Sequence, residues 1–237
     1  MSARKKAGSF VLVGGGEFRA GCRDLDAELG AASGGSEVVV LPTAAAFEHP
    51  ERVRDRAAAH FEDLGATVRA LDVLHRGEAE DPKNAEIVRS AKFVYLADGS
   101  PLHLRSVLKD SALFEALLAS YHGGGVLAAS GAGATVLCDP MVDPRGGAYT
   151  VGLGVVRNLA VFPYHGTAAG HLRERSIDLL PTNATLVGVD EETALVCDPD
   201  GSWRVAGSGH VTVYDGLSST AYESGATIPG LAAENGS

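Results

Sequence analysis

Aromatic residues are scarce in this chain of 237 residues: they make up 6%, and a single tryptophan, Trp203, is among them. The core is therefore expected to be built from Val, Leu and Ala, and Trp203 and the six tyrosines show no stacking pattern suited to nucleic acid. Cysteine is equally sparse. Cys22, Cys138 and Cys197 lie far apart with no CxxC spacing, which excludes a zinc or redox motif and marks them as reduced, small apolar fillers. No apolar run approaches the ~18–20 residues of a membrane span. Residues 8–16 hold only a short apolar run before three glycines, too short for a signal-peptide core, so a soluble cytoplasmic protein is expected. Excess positive charge is missing too. The formal net charge is −10, which argues against nonspecific binding to nucleic acid or to an anionic membrane.

What is present is an alternation of strands and helices. Ser9–Val13, Glu37–Leu41, Thr67–Leu74, Phe93–Ala97 and Val126–Ser130 read as apolar strands. Val53, Ala57, Phe61 and Leu64 recur on one face, which is helical periodicity, and further helices are expected near Asn84–Ala91 and Leu113–Tyr121. Strands this apolar on both sides belong to a mostly parallel sheet covered by helices. The last third changes character. Thr185–Val189, Thr193–Cys197, Trp203–Ala206 and His210–Tyr214 are expected to form an antiparallel extension of the same sheet. One domain over residues 1–217 is expected, then a polar, Gly/Ala-rich tail over 218–237.

In such sheets ligands bind beyond the carboxyl ends of the strands. Gly14-Gly15-Gly16-Glu17, Asp98-Gly99-Ser100 and Ser130-Gly131 all follow strand ends. They are expected at one edge, with Gly16, Glu17 and Ser100 near the pocket. Gly-Gly-Gly-Glu has neither the spacing nor the lysine of a phosphate loop. Ala129-Ser130-Gly131-Ala132-Gly133 has the small-x-nucleophile-x-small pattern of a nucleophile elbow. The nucleophile position falls on Gly131, which has no side chain. Ser130 lies one residue earlier, where its side chain should point away from the site. A turn shifted by one residue would instead present it. Asp190-Glu191-Glu192 reads as a surface turn, and no metal or cofactor is assigned.

The ordered motifs resemble peptidase family S51, which includes dipeptidase E and cyanophycinase. They are Gly14–Glu17, Leu41-Pro42-Thr43-Ala44, Asp98-Gly99-Ser100-Pro101-Leu102-His103-Leu104, the elbow with Asp139-Pro140-Met141, Phe162-Pro163-Tyr164-His165, and Gly188-Val189-Asp190-Glu191-Glu192-Thr193-Ala194-Leu195. The resemblance implies a flavodoxin-like, three-layer α/β fold shared with class I glutamine amidotransferases. It implies hydrolysis of small aspartyl peptides by a serine, which here corresponds to Gly131. It further implies His165 as base, Asp143 as a third acidic member, and an oxyanion hole from the N–H groups of Gly99 and Ala132. The loop at Asp98–Pro101 departs from the family's Gly-Gly-Asp-Gln type. A glutaminase reading would need a cysteine in the elbow, and Cys138 comes too late. Two functions stay open: a hydrolase of this family, or a catalytically silent homologue. The latter would bind a small peptide or amino-acid derivative, an aspartyl one by the resemblance, or dock a protein partner. A homodimer is left open.

Overall fold

The computed structural model describes residues 7–143, 145–216, 218–231 and 234–235. The basic start and residues 232, 233, 236 and 237 of the expected tail lie outside them. Five strands, β1 (Phe10–Val13), β2 (Glu37–Leu41), β3 (Thr67–Ala70), β4 (Phe93–Leu96) and β5 (Val126–Ser130), run parallel in the order β3-β2-β4-β5-β1. Thr193–Cys197 then pairs antiparallel with β1, and Trp203–Gly207 pairs antiparallel with Thr193–Cys197 at the far edge.

Successive side chains of a strand point to opposite faces, and both faces are covered. On one face Val11, Val13, Val38, Val40, Tyr95 and Ala128 pack beneath α1 (Arg23–Ser33) and α2 (Pro50–Glu62). On the other, Phe10, Leu12, Val39, Leu41, Leu96 and Ala129 meet α4 (Pro82–Ser90), α5 (Pro101–Leu108), α6 (Ala112–His122) and α7 (Ala132–Leu137). A single turn, α3 (Arg76–Ala79), precedes α4. Helix starts follow capping chemistry. Pro50 stands at the first turn of α2, and the side chains of Asp81 and Ser111 accept N–H bonds at the starts of α4 and α6. All three cysteines are buried and free. No helix among the described residues is long and apolar enough to cross a membrane.

The C-terminal strands differ from the expected arrangement. They do not extend one sheet but divide between two. Thr185–Val189 and His210–Asp215 join a second sheet with Leu159–Phe162 and the short strands Cys138–Asp139 and Val156–Arg157. The turn at Asp190–Glu192, with Glu192 at φ 53°, carries the chain from one sheet to the other. Helix α8 (Gly170–Asp178) and the second sheet share a small core around Val142, Phe162 and Leu186. Part of the expected tail is ordered as well: Ser218–Glu223 pairs along His210–Asp215 as the edge strand. Its run of mostly small, exposed residues, Ser-Ser-Thr-Ala-Tyr-Glu, suits an edge strand near solvent, which composition alone does not separate from a tail.

Candidate functional site

Register sets the site. Val13 stands opposite Ser130, and Leu96 opposite Ala129, so β1, β4 and β5 end level. The glycine turn, Asp98 and Gly131 therefore meet at one edge, as expected. A cavity of about 340 Å³ opens there, lined by Gly16, Glu17, Asp98, Gly99 and Tyr164 on the sheet side. Arg19, His49, Arg52 and Arg56 line it too, with Glu48 beside them.

Gly131 has φ 48° and ψ −104°, a backbone state that side chains of L-residues rarely adopt. It turns β5 directly into α7, and its N–H bonds the Val13 carbonyl at 2.9 Å. The turn thus has the sharp strand-to-helix geometry of an elbow. Ser130 does not face the cavity's ligand space. It is fully buried, and its Oγ donates to Glu17 Oε2 at 2.8 Å.

The Gly99 N–H and the Ala132 N–H converge, as the resemblance implies. They converge on a side chain of this protein: both donate to Asp98 Oδ1, at 2.7 and 2.6 Å. Tyr164 completes the cradle by donating its hydroxyl to Asp98 Oδ2 in a short hydrogen bond. Burial and the Asp98 charge push the Tyr164 phenol well above its ordinary range, so it stays a donor. A side chain at Gly15 would overlap the Tyr164 ring, so glycine there is what lets the ring reach Asp98. A Cβ at Gly131 would likewise overlap the Asp98 carboxylate.

Glu17 lies beneath this cradle and is almost wholly buried. Its Oε1 accepts the Asp98 N–H at 3.3 Å. Burial first, and the neighbouring Asp98 charge second, raise its proton affinity, while the Ser130 hydroxyl and backbone donors oppose the rise. The folded state then holds this proton to higher pH than the unfolded chain. Stability from Glu17 is greatest below the ordinary carboxyl range near ~4.3 and falls as pH rises toward the raised folded value. Glu17→Gln keeps an acceptor oxygen and never ionises. Urea unfolding across a pH series is expected to show a shallower decline for the variant than for the parent, and parallel curves would exclude this role.

His165 and Asp143 do not join the cradle through any described contact. His165 Nε2 lies 2.6 Å from Tyr214 Oη, and Nδ1 lies 3.4 Å from Asp190 Oδ1. Burial depresses its proton affinity, and the Asp190 contact partly restores it. Asp143 is held by Arg145 through its backbone and guanidinium N–H groups. The carboxylate at His165 is thus Asp190, which also accepts the His210 N–H at 3.0 Å. The Asp190–Glu192 turn is therefore no bland surface loop: Glu192 Oε2 accepts the Gly21 N–H at 2.7 Å. Ser100 is a helix cap, accepting the His103 N–H as α5 begins at Pro101. Asp98, Tyr164 and Asp190 are the residues that motif reading passed over as side chains. The available signal was their place in loops following strand ends.

The profile of peptidase family S51 matches residues 10–203. The chain belongs to peptidase family S51. It is 27% identical to a cyanophycinase of Geminocystis herdmanii over 226 residues, covering 88% of this chain and 80% of that protein. A cyanophycinase of Synechococcus elongatus is 25% identical, with 88% of this chain and 68% of that protein covered. Among solved structures, a peptidase from an acI-B1 Actinobacterium superposes with a TM-score of 0.86 at 28% identity, covering 95% of this chain and 98% of that one. A Listeria monocytogenes EGD-e protein described as a Peptidase E superposes at 0.63 with 14% identity over 91% of this chain and 98% of that one, a likeness of fold alone. The S51 fold is flavodoxin-like, and the elbow, the glycine turn and the Asp98 loop all fall inside the matched span.

Proposed function

We propose that this S51 chain binds a small carboxylate-bearing peptide or amino-acid derivative without forming an acyl-enzyme. The observation that carries the reading is the Asp98 carboxylate lying on the Gly99 and Ala132 N–H groups, beside a Gly131 with no side chain. Covalent catalysis needs an attacking side chain, and a hole whose donors are free. The cavity supports an anionic ligand group. Arg52 and Arg56 lie one turn apart on α2 and line the cavity. An aspartyl peptide such as the β-aspartyl-arginine unit fits this chemistry, since it carries a free carboxylate.

The test has two arms. The unaltered protein is incubated with β-aspartyl-arginine and with Asp-Xaa dipeptides. No cleavage is expected, and efficient turnover would restore the hydrolase reading. Binding of the same peptides is measured by calorimetry. The double variant Arg52→Gln/Arg56→Gln is expected to weaken it on the order of tenfold, because both guanidinium groups are exposed and screened. Unchanged affinity would remove the arginines from the ligand's seat.

A further inference from the structure

We infer that Asp98 is the specificity-determining residue of this pocket: its carboxylate permanently fills the seat that the Gly99 and Ala132 N–H groups offer, and Gly131 is the gap that admits it. The inference rests on the preceding reading, with which it shares the two Asp98 contacts, and adds the Tyr164 hydroxyl and the space at Gly15 and Gly131. Its own support comes from four separate segments. Gly99 in the loop after β4 and Ala132 at the elbow both reach Oδ1, at 2.7 and 2.6 Å. Tyr164, from the segment after Leu159–Phe162, holds Oδ2 with its hydroxyl. Gly15 gives the Tyr164 ring its space, and Gly131 gives the carboxylate its space. Asp98 forms no ion pair among the described residues, so these donors are what offset its charge.

The consequence is an inversion of polarity. Two convergent N–H groups in a half-buried site present positive potential, suited to a developing oxyanion. With Asp98 in the seat the same spot presents a carboxylate. A ligand carbonyl cannot approach those donors while Asp98 holds them. Asp98 thus excludes from this pocket the carbonyl placement that acyl transfer requires. The departure at Asp98 and the glycine at 131 are then one coupled feature rather than two separate losses.

The coupling is tested by supplying the carboxylate from outside. Asp98→Ala empties the seat and leaves the gap at Gly131. Sodium acetate is titrated against sodium chloride at constant ionic strength, with thermal melting and the Gly99 and Ala132 amide resonances as readouts. The variant is expected to melt below the parent. Acetate is expected to recover at least half of that loss, saturably, and to shift both amides, with no response in the parent. Adding Gly131→Ala to Asp98→Ala is expected to weaken the acetate response at least tenfold, because the new Cβ takes the space of the carboxylate. A folded Asp98→Ala protein indifferent to acetate, or a parent that responds as strongly, would overturn the inference. Should the variant not fold, the parent decides: the Gly99 and Ala132 amides must show scalar couplings across the hydrogen bond to the Asp98 carboxyl carbon, and their absence overturns it. Peptide turnover by the parent would count against both readings, because the donors would have to be free, whereas failure of the parent to bind the peptides would sink the preceding reading alone.

Discussion

Gly131→Ser is expected to yield a less stable protein with no gain of peptide hydrolysis. Two separate terms oppose the substitution. An L-residue forced to φ 48° and ψ −104° stores strain, typically ~1–3 kcal/mol. The Cβ also overlaps the Asp98 carboxylate, and overpacking of this kind costs about 1–3 kcal/mol. The variant should therefore lose roughly 2–6 kcal/mol in urea unfolding. The second term depends on Asp98 and the first does not. In an Asp98→Gly background the cost of Gly131→Ser should fall by about 1–3 kcal/mol, a coupling energy that a four-protein cycle isolates. Strict additivity across the cycle would show that Asp98 moves aside freely. Activity in the single variant would show the same in chemistry, because the serine could then work only with the donors released.

This expectation also marks what the residues could and could not announce. Four of the five parallel strands were readable as short apolar runs ended at once or one residue later by Gly, Pro or Asp, whereas the half-exposed edge strand β3, Thr-Val-Arg-Ala, stops at Ala70, short of the expected Leu74. The elbow was readable because small residues cluster around a strand end. Neither signal says where the Asp98 side chain goes. That depends on an empty Cβ volume at Gly131 and on a phenol from residue 164, both distant in sequence. The Tyr164–His165 pair shows the same limit. The chain places Tyr164 at φ 55° and aims it at Asp98, while His165 turns to Tyr214 and Asp190. Adjacent side chains take opposite directions, and a motif ending in histidine does not say which of the two enters the pocket. Asp143 misled for a local reason: Arg145, two residues on, captures its carboxylate before any histidine can. The split into two sheets was hidden because a hairpin pattern specifies antiparallel neighbours and not the sheet to which they attach.

A buried carboxyl–imidazole contact between α1 and α2 supplies the other large expected effect. Asp26 on α1 and His60 on α2 meet at 2.8 Å with side chains 0% and 7% exposed. Asp26 Oδ2 has the imidazole, whereas Oδ1 is buried without a hydrogen-bond partner among the described residues. Burial raises the Asp26 proton affinity, and the His60 contact counters it. His60→Leu removes the one side-chain partner of a buried carboxyl, and breaking such a pair costs about 3–5 kcal/mol. Adding Asp26→Leu should recover most of that loss, since two apolar residues leave no buried carboxyl behind. The single variant's deficit should also shrink as pH falls, because protonated Asp26 no longer carries a charge to strand. Urea unfolding of the three proteins at neutral and acidic pH checks all of this, and a single-variant cost below ~1 kcal/mol would mean that the helices relax to let water reach Asp26. The pair matters to the pocket through Phe18. That ring stacks 5.9 Å from His60 and 4.9 Å from Tyr95, measured between centroids, and it directly follows Glu17 in the chain. Loosening α1 from α2 therefore loosens the turn that seats Glu17 beneath Asp98, so the single variant should also weaken ligand binding while the double apolar variant restores it.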